Sequence, residues 1–189
     1  MDKFLNKYRI PSARFQNWDY SSHGAYFVTI CTHERKCSFG TILENTMQLS
    51  PLGIIADILW YEIKNHAQNV ELGEFVIMPN HMHGIIILND NKTETYVETR
   101  HALSNPRESV EIQTTGQRRF QNQGNNTISS IVGGYKSAVT KHAKRLGFPF
   151  KWQSRFHDHI IRDNAEYERI AQYILDNPVK WQADKCFVA

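Results

Sequence analysis

The chain has 189 residues with a formal net charge of +3, a mildly basic balance that does not by itself call for nucleic acid. Hydrophobic residues at 41% and aromatics at 12% exclude a disordered chain, and the length fits one domain over residues 1–189. The three cysteines, Cys31, Cys37 and Cys186, are odd in number and lack CxxC spacing, which argues against a cysteine zinc site and for a reducing cytoplasm; the polar start MDKFLNKYRI is no signal peptide, and no apolar run approaches a membrane span.

Residues 1–24 are polar and aromatic, with Lys3, Lys7, Arg9 and Arg14, and form either a surface arm or an arm that contacts nucleic acid. Ala25 to Thr32, AYFVTICT, is β-branched and aromatic and predicts a central strand. Short apolar pieces between Lys36 and Leu49, around Glu44-Asn45, predict a small hairpin. Ser50-Pro51 is an N-cap followed by proline at the first helical position. The helix it opens should bury Ile54, Ile55, Ile58, Leu59 and Ile63 and end near Asn65-His66. Phe75 to Leu88, FVIMPNHMHGIIIL, reads as two buried strands joined at Pro79-Asn80. Residues 89–126 are rich in Asn, Gln, Thr and Glu and predict a long flexible insertion, in which Arg118 and Arg119 are either solvated or in reach of phosphate.

Thr127 caps a helix to about Leu146 with a stripe of Ile128, Ile131, Val132, Tyr135, Val139 and Leu146. Lys136, Lys141, Lys144 and Arg145 lie off that stripe and form a basic face. The mid-helix pair Gly133-Gly134 suggests a close approach of another backbone or a ligand. Phe150 to Arg162 reads as a strand, and Asp163 with Glu166 starts a last helix that Pro178 stops. The order strand, helix, strand, strand, helix, strand, helix fits an α+β, ferredoxin-like sandwich. It has a four-stranded antiparallel sheet and one extra carboxy-terminal helix.

A strand points residues i and i+2 to one face, so His81 and His83 project side by side, half of a metal site. A second pair, His157 and His159, has Asp158 between and fits an exposed or edge strand. On the last helix Tyr167, Ile170, Ala171 and Ile174 form the core stripe, while Tyr173 falls on its flank with Glu166 and Asn177. That tyrosine is either a boundary residue with a wetted hydroxyl or a nucleophile. Proline after Asn177 pushes that residue away from helical geometry.

Five blocks, YFVTICT at 26–32, MPNHMHGIII at 78–87, GYKSAVTK at 134–141, WQSRFHDHIIR at 152–162 and YILDNPVKW at 173–181, resemble the single-tyrosine HUH transposases of the IS200-like type. Within them the chain resembles the REP-associated tyrosine transposases, which carry asparagine where the IS200 type has glutamine. The resemblance implies His81, His83 and Asn177 as metal ligands, Mg2+ or Mn2+ as the ion, and Tyr173 as the nucleophile. It further implies a transposase that cuts and rejoins single-stranded DNA through a 5′-phosphotyrosine, beside a foldback hairpin, as a monomer or homodimer. Lys136, Lys141, Lys144, Arg145 and the arm at Lys7, Arg9 and Arg14 then become phosphate contacts. The alternatives are a domesticated hairpin-binding protein without strand transfer, a histidine-zinc protein using both histidine pairs, and a related HUH nuclease that starts plasmid transfer or replication.

Overall fold

The computed structural model describes residues 23–67, 69–89 and 127–187. The arm with Lys3, Lys7, Arg9 and Arg14, and the insertion with Arg118 and Arg119, lie outside the described residues. Six strands form, β1 (Gly24–Cys31), β2 (Gly40–Leu43), β3 (Thr46–Leu49), β4 (Val70–Ile77), β5 (His81–Leu88) and β6 (His157–Ile161). The helices are α1 (Pro51–Tyr61), α2 (Ile63–His66), α3 (Ile128–Arg145) and α4 (Asn164–Asp176). The main sheet has the order β4-β5-β1-β6, with every neighbouring pair antiparallel. Together with the element order this is the expected ferredoxin-like sandwich, with α4 as the additional helix. β2 and β3 form the separate hairpin, turned at Glu44 and Asn45, both of which have positive φ as a tight two-residue hairpin turn requires.

The sheet divides the apolar interior in two. Tyr26, Val28, Ile30, Met82 and Ile86 face α1 and α3 in the larger cluster, with Trp60, Tyr135 and Val139. On the opposite face Ile85 and Ile161 meet Ile170, Ala171 and Ile174 of α4 in a smaller one. The caps read from sequence are present: Ser50 Oγ accepts from Gly53 N, Thr127 Oγ1 from Ser130 N, and Asp163 from Glu166 N.

Four expectations need correction. The buried face of α1 is Leu52, Gly53, Ala56 and Trp60, while Ile54 and Ile58 are about half exposed. The cause is close packing: a Cβ on Gly53 would lie 2.1 Å from the Phe39 carbonyl oxygen, so the helix meets its neighbour through its smallest residue. The helix also breaks at Glu62 before α2 instead of running through to His66. The strand expected from Phe150 pairs only over His157–Ile161. Phe150 and Trp152 instead pack edge to face with each other and tilted against Phe39, and only a single bridge joins Trp152 to Thr32. Finally, Leu146 at the end of α3 is exposed, outside the buried stripe. At Gly133 and Gly134 a Cβ would meet nothing within 4 Å among the described residues, so no described backbone makes the close approach there.

Gly84, between His83 and Ile85, is where the sheet is tightest. A Cβ there would sit 2.4 Å from the rigid Trp60 ring. Gly84→Ala should therefore lower stability by about 1–3 kcal/mol in urea unfolding. An unchanged midpoint would show that Trp60 can move aside.

Candidate metal and nucleophile site

The histidine pair opens β5 at the end of the sheet, just after the turn at Pro79 and Asn80. Directly opposed residues of antiparallel neighbours share a face. Cys31 pairs with His81, and Thr29 pairs with His83 on one side and His157 on the other. All five side chains therefore project toward the α4 side, while Met82 enters the opposite core. The two Nε2 atoms lie 3.1 Å apart. Each ring is held through its other nitrogen, His81 Nδ1 by Asn80 Oδ1 at 2.8 Å and His83 Nδ1 by Thr29 Oγ1 at 2.8 Å. The Asn80 amide nitrogen donates to two carbonyls, of Arg35 and Cys186. Its oxygen therefore faces His81, whose Nδ1 carries the proton and whose Nε2 presents a lone pair. Burial pushes His81 down to about 4 and His83 to about 3, so both are neutral at physiological pH.

Tyr173 comes from α4. Its ring stands edge-on to Phe27 at 6.2 Å and to His83 at 5.3 Å. Its hydroxyl is 3.3 Å from His83 Nε2 and donates to Asp184 Oδ2 at 3.1 Å. Burial and then the Asp184 charge push it up to about 12, so the resting phenol is protonated. Asn177 follows one turn later at the helix end and keeps helical φ and ψ despite the proline after it, contrary to the expectation from sequence. The turn is held there by Asn177 N bonding Ile174 O at 3.3 Å. The Asn177 amide nitrogen donates to Asp184 Oδ2 at 3.3 Å, which leaves Oδ1 buried without a partner among the described residues. Glu166, expected on this flank, turns instead to β6, where it binds His159 Nε2 at 2.9 Å and Arg162 N.

These groups fit a divalent cation. Two neutral imidazoles stand together, one ligand atom from each of His81, His83 and Asp184 falls within 4.8 Å of the others, and the orphaned amide oxygen of Asn177 is buried beside Asp184, which its amide nitrogen reaches. An uncompensated buried acceptor costs about 1–3 kcal/mol, and a cation would satisfy it. Asp184 had no signal in the sequence. Burial works to raise its pKa, but the Cys186 N–H, His81, Asn177 and Tyr173 outweigh this and hold it below the usual carboxylate range.

The segment Lys180–Phe187 closes over these groups. Trp181 stacks on His81 with centroids 5.9 Å apart, and Phe187 packs on Trp181. Arg35 holds the Lys185 carbonyl at 2.8 Å, and Asn80 holds that of Cys186 at 2.8 Å. Consequently His81, His83 and Asn177 are 0%, 4% and 1% exposed, whereas Tyr173 is 42% exposed.

No family model matches the chain. An uncharacterized protein of Haemophilus influenzae (strain ATCC 51907 / DSM 11121 / KW20 / Rd) is 36% identical over 178 residues, which cover 94% of this chain and 92% of that one. The chain belongs to the family of that protein. Among solved structures, that of the REP-associated tyrosine transposase bound to a REP hairpin aligns with a TM-score of 0.57 and 20% identity, over 92% of this chain and 77% of the other. The family member described here thus has the fold of the REP-associated tyrosine transposases, the group its motifs resemble.

Of the residues singled out in the sequence, His81, His83, Tyr173 and Asn177 come together. The basic residues of α3 lie elsewhere: Lys136, Lys141 and Lys144 line a shallow groove with Ser137, Thr140 and Trp152. Lys136 is half-buried, donating to the carbonyls of Gln153 at 2.7 Å and Ser154 at 3.4 Å, and burial lowers its pKa. Arg145 reaches His142. His157 and His159 are on an edge strand as expected, and Arg14 lies outside the described residues. Among the described residues no helix is long and apolar enough to cross a membrane.

Proposed function

We propose that this protein is a single-strand DNA transposase that cuts and rejoins strands through Tyr173. The observation that carries this reading is the meeting of Tyr173 Oη with His83 Nε2 at 3.3 Å, beside His81 Nε2 and the orphaned Asn177 Oδ1. His81, His83 and Asn177 would hold Mg2+ or Mn2+. Such an ion polarises a scissile phosphate and offsets the charge that develops on it. Imidazole donors favour manganese in affinity and availability favours magnesium.

The tyrosine oxygen attacks phosphorus and the bond from phosphorus to the 3′ oxygen breaks. The 5′ side stays on Tyr173 as a phosphotyrosine, and the 3′ hydroxyl leaves with a proton in place of the one the phenol gives up. Reversal with a different 3′ hydroxyl rejoins the strand. Phe27, which stacks on His83 at 5.2 Å and meets the edge of Tyr173, fixes both rings against β1. At rest Asp184 Oδ2 accepts the hydrogen bond of the protonated phenol and puts an anionic oxygen beside the tyrosine and the histidines, where an incoming phosphate must stand. The REP hairpin bound by the structural neighbour makes a foldback DNA hairpin the substrate to try first.

The test is covalent capture of end-labelled single-stranded hairpins, with and without manganese, by wild type and Tyr173→Phe. A metal-dependent adduct confined to wild type supports the reading. Hairpin binding with no adduct on any substrate would favour the domesticated binder. For the α3 groove, Lys141→Ala/Lys144→Ala should weaken hairpin binding and reduce the slope of log K against log salt by about 1.4–1.8. An unchanged slope would remove those lysines, both exposed, from the DNA path.

A further inference from the structure

Cys31 and Cys186 are 155 positions apart in the chain (186 − 31) and adjacent in space. Cys31 ends β1, opposite His81 and on its face. Cys186 lies in the segment that closes the site, with its carbonyl held by Asn80, the residue before His81. The backbone fixes this neighbourhood independently, because Thr32 N and Oγ1 both donate to the Asn80 carbonyl at 2.9 Å. The two side chains lie close enough to interact, and Arg35 and Lys136 add positive charge near Cys31. Both cysteines are partly accessible, within reach of a small oxidant. The segment they would tie down carries Trp181 on His81 and Asp184 on Tyr173.

We propose that Cys31 and Cys186 are a redox modification site, forming a reversible disulfide with peroxide that fastens the Lys180–Phe187 segment over the metal and tyrosine site. One sulfur attacks a peroxide oxygen, the O–O bond breaks and water or an alcohol leaves. The second thiol attacks the resulting sulfenic sulfur, the S–S bond forms and a water leaves. Two electrons pass from the thiol pair to the peroxide. Reduced, the segment is held by hydrogen bonds and ring contacts and can lift. Oxidised, it is tethered to β1, and His81, His83 and Asn177 stay covered. A reducing compartment keeps such a pair as thiols until peroxide appears, which is how disulfides there act as sensors.

The lock follows from where the segment sits, whatever the site's chemistry, so its test has a readout that needs no DNA. The full chain carrying Cys37→Ser, which removes the exposed third thiol, is treated with stoichiometric hydrogen peroxide. The intact mass should fall by two hydrogens, a peptide linking Cys31 to Cys186 should appear, and amide exchange over residues 180–187 should slow by about tenfold or more. Dithiothreitol should reverse all three and restore both thiols, and Cys186→Ser should show none of them. Manganese-dependent adduct formation should drop by about tenfold or more on oxidation and return on reduction. Peroxide that yields only sulfinic or sulfonic acid, a link that leaves segment exchange unchanged, or an oxidised form that makes adduct at the reduced rate would each overturn the proposal. A link that slows exchange in a protein giving no adduct in either redox state would uphold the lock and sink the transposase reading.

Discussion

Manganese at a hundred times its dissociation constant should raise the melting temperature of the wild-type protein by about 5–10 °C. Binding to the native state alone at that ratio is worth about 2.7 kcal/mol, and a domain of this size moves by about 2–4 °C per kcal/mol. Among the described residues Asn177 Oδ1 is buried without a partner, and the two histidine Nε2 atoms have only each other and the Tyr173 hydroxyl. A cation would satisfy the orphaned oxygen and give both nitrogens a stronger partner. His81→Ala/His83→Ala should lower the starting melting temperature, because it opens space beneath Trp181, and should abolish the manganese shift. Thermal melts with manganese, then with excess chelator, check this on each protein. A shift of equal size in the double variant would place the ion elsewhere, and no shift in wild type would remove the metal from the account.

Tyr173→Phe should reduce DNA adduct formation by at least about a thousandfold, since the proposed nucleophile is its hydroxyl, the one that meets His83 Nε2 at 3.3 Å. The fold should survive. The phenyl ring still meets Phe27 and His83 edge-on, and the lost hydroxyl removes one hydrogen bond to Asp184, about 0.5–1.5 kcal/mol at most. Hairpin affinity and the manganese shift should remain. Tyr135→Phe is the contrasting variant. Tyr135 is buried on the opposite face of the sheet, its hydroxyl donating to the Ala56 carbonyl at 2.9 Å, and burial drives its pKa well above the ordinary phenol range. It should cost stability and leave the adduct intact. Adduct surviving in Tyr173→Phe but lost in Tyr135→Phe would reverse the assignment.

Much of this was legible because it is local. Caps at Ser50, Thr127 and Asp163 depend on residues three positions apart, and the alternation that sends His81 and His83 one way and Met82 the other depends on the pleat alone. The α1 face was misread because side-chain bulk was taken as the guide to burial. The helix in fact meets Phe39 and the end of β3 through Gly53, a fit set by backbone proximity that hydrophobicity does not encode. The strand before β6 was overextended for a related reason. Phe150 and Trp152 have strand-like character, but Phe39 offers them an aromatic cluster that competes with pairing. Asp184 was invisible because its role arises only when a segment past the helix stop folds back on Tyr173. No periodicity marks such a return.

The unequal division of the core by the sheet bears on where motion is cheapest. The layer of α1 and α3 is anchored by Trp60, Tyr135 and a broad set of aliphatic neighbours, while α4 rests on a handful of side chains around Ile85 and Ile174. Detaching α4 exposes far less apolar surface than dismantling the other layer, so it can open as a sub-global unit while the rest of the domain stays folded. The helix that bears Tyr173 is thus also the element with the least to lose by shifting. Under the proposed function, admitting and releasing a folded hairpin would need only local breathing on that side, with the rest of the domain left intact.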